Sequence, residues 1–198
     1  MADFQEAYDI LYTHEGDYAN DPDDYGGETY KGVSRRYQTT WKGWTIIDEL
    51  KRKHEEGFIS YLATNEDLQE AVHDIYRKRF WNKFWGDRIT EQIVATEMFD
   101  VAVNLGVNRS VRFMQKALNA LSKDGRLWSR LKKDGRFGPK TFNSLQECLS
   151  NDDAGYLVRC INLYQGNHYL HQTEKRPSQS KFLRGWLKRV DIDKDYMN

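Results

Sequence analysis

The 198-residue chain is poor in cysteine, long apolar runs and net charge, and each scarcity excludes something. Its two cysteines, Cys148 and Cys160, are too few for a disulfide framework. Both sit among periodic apolar residues, so buried thiols are expected. No stretch approaches the roughly 20 apolar residues of a membrane helix, so no membrane insertion is expected. Met1–Ala7 is acidic and leads into no apolar leader core. Synthesis in a reducing bacterial cytoplasm without a signal peptide is therefore the expectation. Thirty Lys and Arg balance thirty Asp and Glu, which removes the electrostatic footprint of a nucleic-acid binder. The basic run Lys181–Arg189 reads as the polar face of a helix. The five histidines show no metal-ligand spacing. Alternating strand patterns are almost absent.

Period-3.6 patterns fill the space these absences leave. Phe4, Ala7, Tyr8 and Leu11 predict a helix over 3–14 that ends at Glu15-Gly16. Ile46, Ile47 and Leu50 predict a second, capped by Thr45. A third runs from an Asn65 cap through Leu68, Val72, Ile75 and Tyr76 to Phe80. The most apolar one spans Ile93–Leu105 and stops at Gly106. Further helices follow around Val111–Leu121, from Pro139, around Leu157–Tyr164, and around Leu183–Val190. Residues 175–180 read as a surface loop. A small glycine-bearing hairpin is allowed over Asp24–Val33. The fold class expected is mainly α with at most that hairpin. A division near residue 107 separates 1–107 from a helical region, 108–198, packed on it.

The stretch "THEGDYANDPDDYGGETYKG" interrupts this pattern at residues 13–32. Glu15 follows an apolar stripe directly and precedes an acidic, aromatic, glycine-bearing loop. A carboxyl against an apolar wall has its pKa raised, because its charged form is desolvated. A glutamic acid that stays protonated near neutrality can donate a proton to a leaving oxygen, as glycoside hydrolysis requires. Asp21, Asp23, Asp24 and Glu28 are available as second carboxylates. The bland alternatives are a solvated glutamate at a helix end and turn-forming aspartates. A calcium loop is disfavoured, since the spacing lacks the EF-hand order of ligands. No metal and no cofactor are expected.

"HEGDYANDPDDYGGETYKGVS" resembles the signature of the glycoside hydrolase family 108 N-acetylmuramidases, known from phage endolysins and secretion activator proteins. That resemblance implies a lysozyme-like fold, with Glu15 as catalytic acid. Asp17, Tyr25 and Val33 depart from the family pattern, and Asp17 adds a titratable group. "AVHDIYRKRFWNKFWGDRI" and "EMFDVAVNLGVNRSVRFMQKALNAL" are similar to further family segments. Phage-type lysozymes carry a Glu-x8-Asp-x5-Thr spacing. Here Asp24 fits and Thr29 falls one residue short, suggesting Asp24 as second carboxylate and Thr29 as a water-positioning residue. Glu28 remains the rival carboxylate.

Tyr18, Tyr30 and Trp81 are candidates to line a sugar groove, beside Trp41, Trp44 and Trp85. Large aromatics are more often core, and Trp81 and Trp85, four residues apart, are expected on one helix face. Asp100 and Asn104 share a helix face. The residues alone read as a polar core network, whereas the resemblance implies a cleft role. "KKDGRFGPKTFNSLQ" reads as a turn and a helix start at Pro139. It is also similar to an element of small peptidoglycan-binding modules. The expected activity is hydrolysis of the β-1,4 bond from N-acetylmuramic acid to N-acetylglucosamine by a monomer acting on peptidoglycan glycan strands. Delivery to the wall through a holin or an exporter is implied. A non-catalytic wall binder, a lytic transglycosylase and a chitinase remain open alternatives.

Overall fold

The structure is a computed structural model and describes residues 1–12, 18–20, 27–151 and 154–190. The chain forms two compact units, one of residues 8–79 and one of residues 1–7 with those from 80 onward. Helix α1 (Phe4–Tyr12) gives its first turn to the latter and its remainder to the former. Its stripe of Phe4, Ala7, Tyr8 and Leu11 is buried, as the periodicity predicts. Asp3 accepts the Glu6 N–H at 3.0 Å and so caps the helix start. The Asp-x-x-Glu spacing is a capping signature that the sequence displays and the periodicity alone overlooks.

In the unit of residues 8–79, three two-residue strands precede three helices. Strands β1 (Tyr18–Ala19), β2 (Thr29–Tyr30) and β3 (Val33–Ser34) pair antiparallel in that order. Helices α2 (Lys42–His54), α3 (Ile59–Leu62) and α4 (Glu66–Arg79) follow. The hairpin expected over 24–33 is thus a three-stranded sheet. Its tight turn is Lys31-Gly32, with φ of 45° and 70°. Positive φ at both central residues is what a two-residue hairpin turn of the I′ kind requires. Lysine does not favour that conformation, and contacts hold it. Tyr76 donates its hydroxyl to the Lys31 carbonyl at 3.0 Å, and Lys31 Nζ donates to Gln69 at 2.9 Å.

Helix α2 begins well before the predicted Thr45 cap, with Trp41 in the capping position. Packing sets this start. The Trp41 indole crosses the helix at Gly43 and donates to the Ala71 carbonyl at 3.1 Å. Asn65 does cap α4, accepting the Leu68 N–H at 2.8 Å.

In the other unit, 3₁₀ turns at Trp81–Phe84 and Gly86–Arg88 lead into five helices among the described residues. These are α5 (Gln92–Leu105), α6 (Val107–Leu121), α7 (Pro139–Ser150), α8 (Ala154–Lys175) and α9 (Ser180–Leu187). Gly106 stops α5 as predicted, and α6 starts at the next residue. α5, α6 and α8 pack on one another around Met98, Phe99, Met114, Leu118, Leu157 and Ile161. Packing therefore joins α5 to the C-terminal helices across the division expected near residue 107. The expected loop at 175–180 is the end of α8 plus a short turn, Pro177–Gln179.

Trp81 and Trp85 do not share a helix face. α4 ends at Arg79, and Trp85 adopts a left-handed φ of 56°. Trp81 is fully buried against Phe4, Phe84 and Phe99, with ring centroids 5.5–5.8 Å apart. A Cβ at residue 86 would lie 2.2 Å from its indole, so Gly86 is required there. The turn at 134–136 is tied to α6 by Gln115. That amide accepts the Gly135 N–H at 2.9 Å and donates to Asp134 at 3.0 Å and the Arg136 carbonyl at 3.1 Å. Pro139 opens α7 as predicted. Cys148 is buried and Cys160 half-buried, with no disulfide between them. No helix among the described residues is long and apolar enough to cross a membrane.

Candidate active site

The sheet carries Tyr18, Thr29 and Tyr30, and Glu28 directly precedes its second strand. Glu15 and Asp24 lie outside the described residues, as do Asp17, Asp21 and Asp23. In chain order Glu15 falls between α1 and β1. The register aligns Tyr18 with Tyr30 and Tyr30 with Val33, so these three share one face of the sheet. Ala19, Thr29 and Ser34 share the other. Tyr30 and Val33 are buried, whereas Thr29 and Ser34 are half-buried and Ala19 is exposed. The pleat therefore sets Thr29 apart from Tyr18 and Tyr30.

Glu28 is fixed by charge. Lys51 Nζ lies 2.7 Å from Oε1, Arg35 Nε lies 2.7 Å from Oε2, and the Tyr18 hydroxyl donates to Oε1 at 3.1 Å. Arg35 continues outward with two hydrogen bonds to Asp48, at 2.6 and 2.9 Å, and its guanidinium stacks 4.4 Å from the Trp44 ring. Burial works to raise the Glu28 pKa. The hydrogen bonds and charges of Lys51 and Arg35 outweigh it and hold the carboxyl below its ordinary value. Glu28 is consequently a carboxylate whose two oxygens already meet two cations and a phenol. Such a group fixes the sheet to α2 and is poorly placed to give or take a catalytic proton. Its cationic partners Arg35 and Lys51 sit 7 and 23 residues downstream, and Asp48 pairs with Arg35 in turn, a pattern with no local sequence signal.

Tyr30 is equally committed, donating to the Leu62 carbonyl at 3.2 Å and accepting from Gln69 at 2.9 Å. Tyr18 keeps a half-buried ring, edge-on to Phe58 at 5.2 Å. Trp41, Trp44 and Trp81 are core residues, while Trp85 is half-buried against Phe137 and Phe142.

Asp100 and Asn104 belong to the other unit and form a polar network there. Arg189 donates to Asp100 Oδ1 at 2.9 Å, Asn104 to the same oxygen at 3.1 Å, and Gln165 to Oδ2 at 3.4 Å. Burial raises the Asp100 pKa above its ordinary value against the pull of Arg189 and the two amides. Both side chains are half-buried, and Asn104 also lines a cavity in this unit. Among the described residues, no three His, Cys, Asp or Glu side chains gather as metal ligands.

Comparison with known proteins joins these parts. A family model for Glycosyl hydrolase 108 matches residues 8–106, and one for a Predicted Peptidoglycan domain matches residues 109–191. The fold is similar to that of Brucella abortus SagA, at a TM-score of 0.61 and 24% identity over 94% of this chain and 88% of that one. No curated protein is significantly similar to the chain. The family match takes in the sheet, the ion-paired Glu28 and the acidic stretch around Glu15, and it spans half of the sequence. The chain belongs to the glycosyl hydrolase 108 family.

Proposed function

We propose that this peptidoglycan hydrolase is an N-acetylmuramidase that cleaves the β-1,4 bond from N-acetylmuramic acid to N-acetylglucosamine. Glu15 is the general acid in this reading, Asp24 the second carboxylate, and Thr29 a water-positioning residue. The observation that carries it is the state of Glu28. Its pairing with Lys51, Arg35 and Tyr18 argues for a structural role for the rival carboxylate. The second-carboxylate role then falls to Asp24, and Glu15 keeps the acid role that the family motif implies. Protonation by Glu15 weakens the glycosidic bond, and an ionised Asp24 stabilises the oxocarbenium-like centre or directs water to it. A carboxyl separation of about 6.5–9.5 Å gives inversion, and about 5–5.5 Å gives retention.

In this reading the chain acts as a monomer. Residues 1–107 cut and residues 108–198 hold the wall, reached through a holin or an exporter. No cofactor takes part. End-group analysis of fragments released from purified peptidoglycan tests the bond. Reducing N-acetylmuramic acid ends are expected. Reducing N-acetylglucosamine ends would overturn the bond assignment, anhydro-muramic ends would make the protein a lytic transglycosylase, and no fragments at all would leave a wall binder.

A further inference from the structure

Two cavities of about 240 and 580 Å³ adjoin in the unit that begins at residue 80 and share Leu105, Arg109 and His168 in their walls. The larger is lined by Arg112 and Lys116, which continue the Arg109 stripe along α6 at helical spacing. The smaller is lined by Arg176, at the end of α8, and is closed by Trp186 of α9. No Asp or Glu among the described residues lines either one.

The cations of this groove are held in place but not neutralised. Arg109 donates to the Leu105 carbonyl at 2.8 Å and Arg112 to the Asn108 side chain at 3.3 Å. Lys116 lies 5.0 Å from the centre of the Tyr164 ring. None of them, nor Arg176, pairs with a carboxylate among the described residues. Arg35 and Arg189, by contrast, are ion-paired. The His168 imidazole is held below its ordinary pKa by burial and by the charges of Arg109, His171 and Lys116.

We propose that this groove binds the carboxylates of the peptidoglycan stem peptide. Neutral sugars give four unpaired cations nothing to pair with, whereas a stem peptide presents several carboxylates along a short backbone. The amides of Gln172 and Gln179 suit that backbone, and Trp186 suits its alanyl side chains. The inference rests on the reading that the chain works on peptidoglycan, and it names which part of the wall the C-terminal region reads.

The test is titration of the full chain with a soluble stem tetrapeptide, its fully amidated form, and poly(glycerol phosphate). The free tetrapeptide is expected to bind about tenfold or more tighter than the amidated one. Arg112→Gln/Lys116→Gln/Arg176→Gln is expected to lose about as much, with its melting midpoint kept. The charge-matched control Lys53→Gln/Lys83→Gln/Lys181→Gln, built at exposed sites, is expected to bind like the parent. Equal binding of the two peptides, no binding of either, equal loss in the control, or tighter binding of poly(glycerol phosphate) would each overturn the inference. Binding is read without hydrolysis. Absence of glycan cleavage therefore counts against the enzymatic reading alone, and cleavage without peptide binding counts against this inference alone.

Discussion

Two turns in this protein are pinned to a helix by opposite means. The sheet of residues 18–34 is held to α2 by charges, with Glu28 between Lys51 and Arg35, and Arg35 on Asp48. The turn at 134–136 is held to α6 chiefly by the neutral amide of Gln115, and the chain before it by Asn119, which exchanges two hydrogen bonds with Leu131 at 2.7 and 2.9 Å. A buried amide has fixed donors and acceptors and is indifferent to salt. An ion pair depends on protonation and on screening. At these two places the proposed catalytic side is held mainly by ion pairs and the proposed wall-holding side mainly by an amide, which also meets the Asp134 carboxylate.

Packing gives the largest effect. Gly86→Ala drives a methyl into the Trp81 indole, and a loss of about 1–3 kcal/mol or more is expected from chemical denaturation. Next, Gln115→Ala leaves the buried Gly135 N–H without its acceptor, at about 1–3 kcal/mol, whereas the Arg136 carbonyl keeps the Thr141 hydroxyl. Its cost should be equal at low and high salt. A salt-dependent cost would break the comparison.

Glu28→Gln should cost about 1–3 kcal/mol at neutral pH. Its sign with pH follows from the depressed Glu28 pKa. Stability from this carboxylate is fully present above its unfolded pKa of about 4.3 and is lost as pH falls through the lower folded value. The gap in melting midpoint between the parent and the variant should therefore begin to close as pH falls below about 4.3 and close further as pH falls through the folded value. A gap that stays constant in acid would show that Glu28 acts through shape rather than charge. The smallest effect is that of Arg35→Lys, which keeps a cation but gives up the forked contact with Asp48, at about 1 kcal/mol or less.

Much of this fold is legible in the sequence wherever one local signal decides the outcome. Asn65 caps α4, Gly106 stops α5 and Pro139 opens α7, each through backbone chemistry within a turn of itself. The positions that local signals do not reveal are those where packing, a distant contact or an early helix end overrides the local preference. Trp41 starts α2 ahead of Thr45 by packing over Gly43 and bonding to Ala71. Lys31 takes a positive φ because Tyr76 and Gln69 hold it. Trp81 and Trp85 part company because α4 ends at Arg79.

The candidate site divides in the same way. The motif around Glu15 is contiguous, and it pointed to the family that the comparison found. The commitment of Glu28 depends on Lys51 and Arg35 meeting it in space, and the same long-range logic places Asp100 with Arg189. Composition and spacing see neither.

The central claim is a division of labour between two glutamates, with Glu15 giving the proton and Glu28 holding the sheet. The direct test is the initial rate of peptidoglycan hydrolysis by Glu15→Gln and Glu28→Gln, each beside its melting midpoint. Glu15→Gln should lose about 10²–10⁴-fold in rate at an unchanged midpoint. Glu28→Gln should melt earlier yet keep most of its rate well below that midpoint. A Glu15→Gln protein that still hydrolyses at the parental rate, or a folded Glu28→Gln protein that does not hydrolyse at all, would contradict the account.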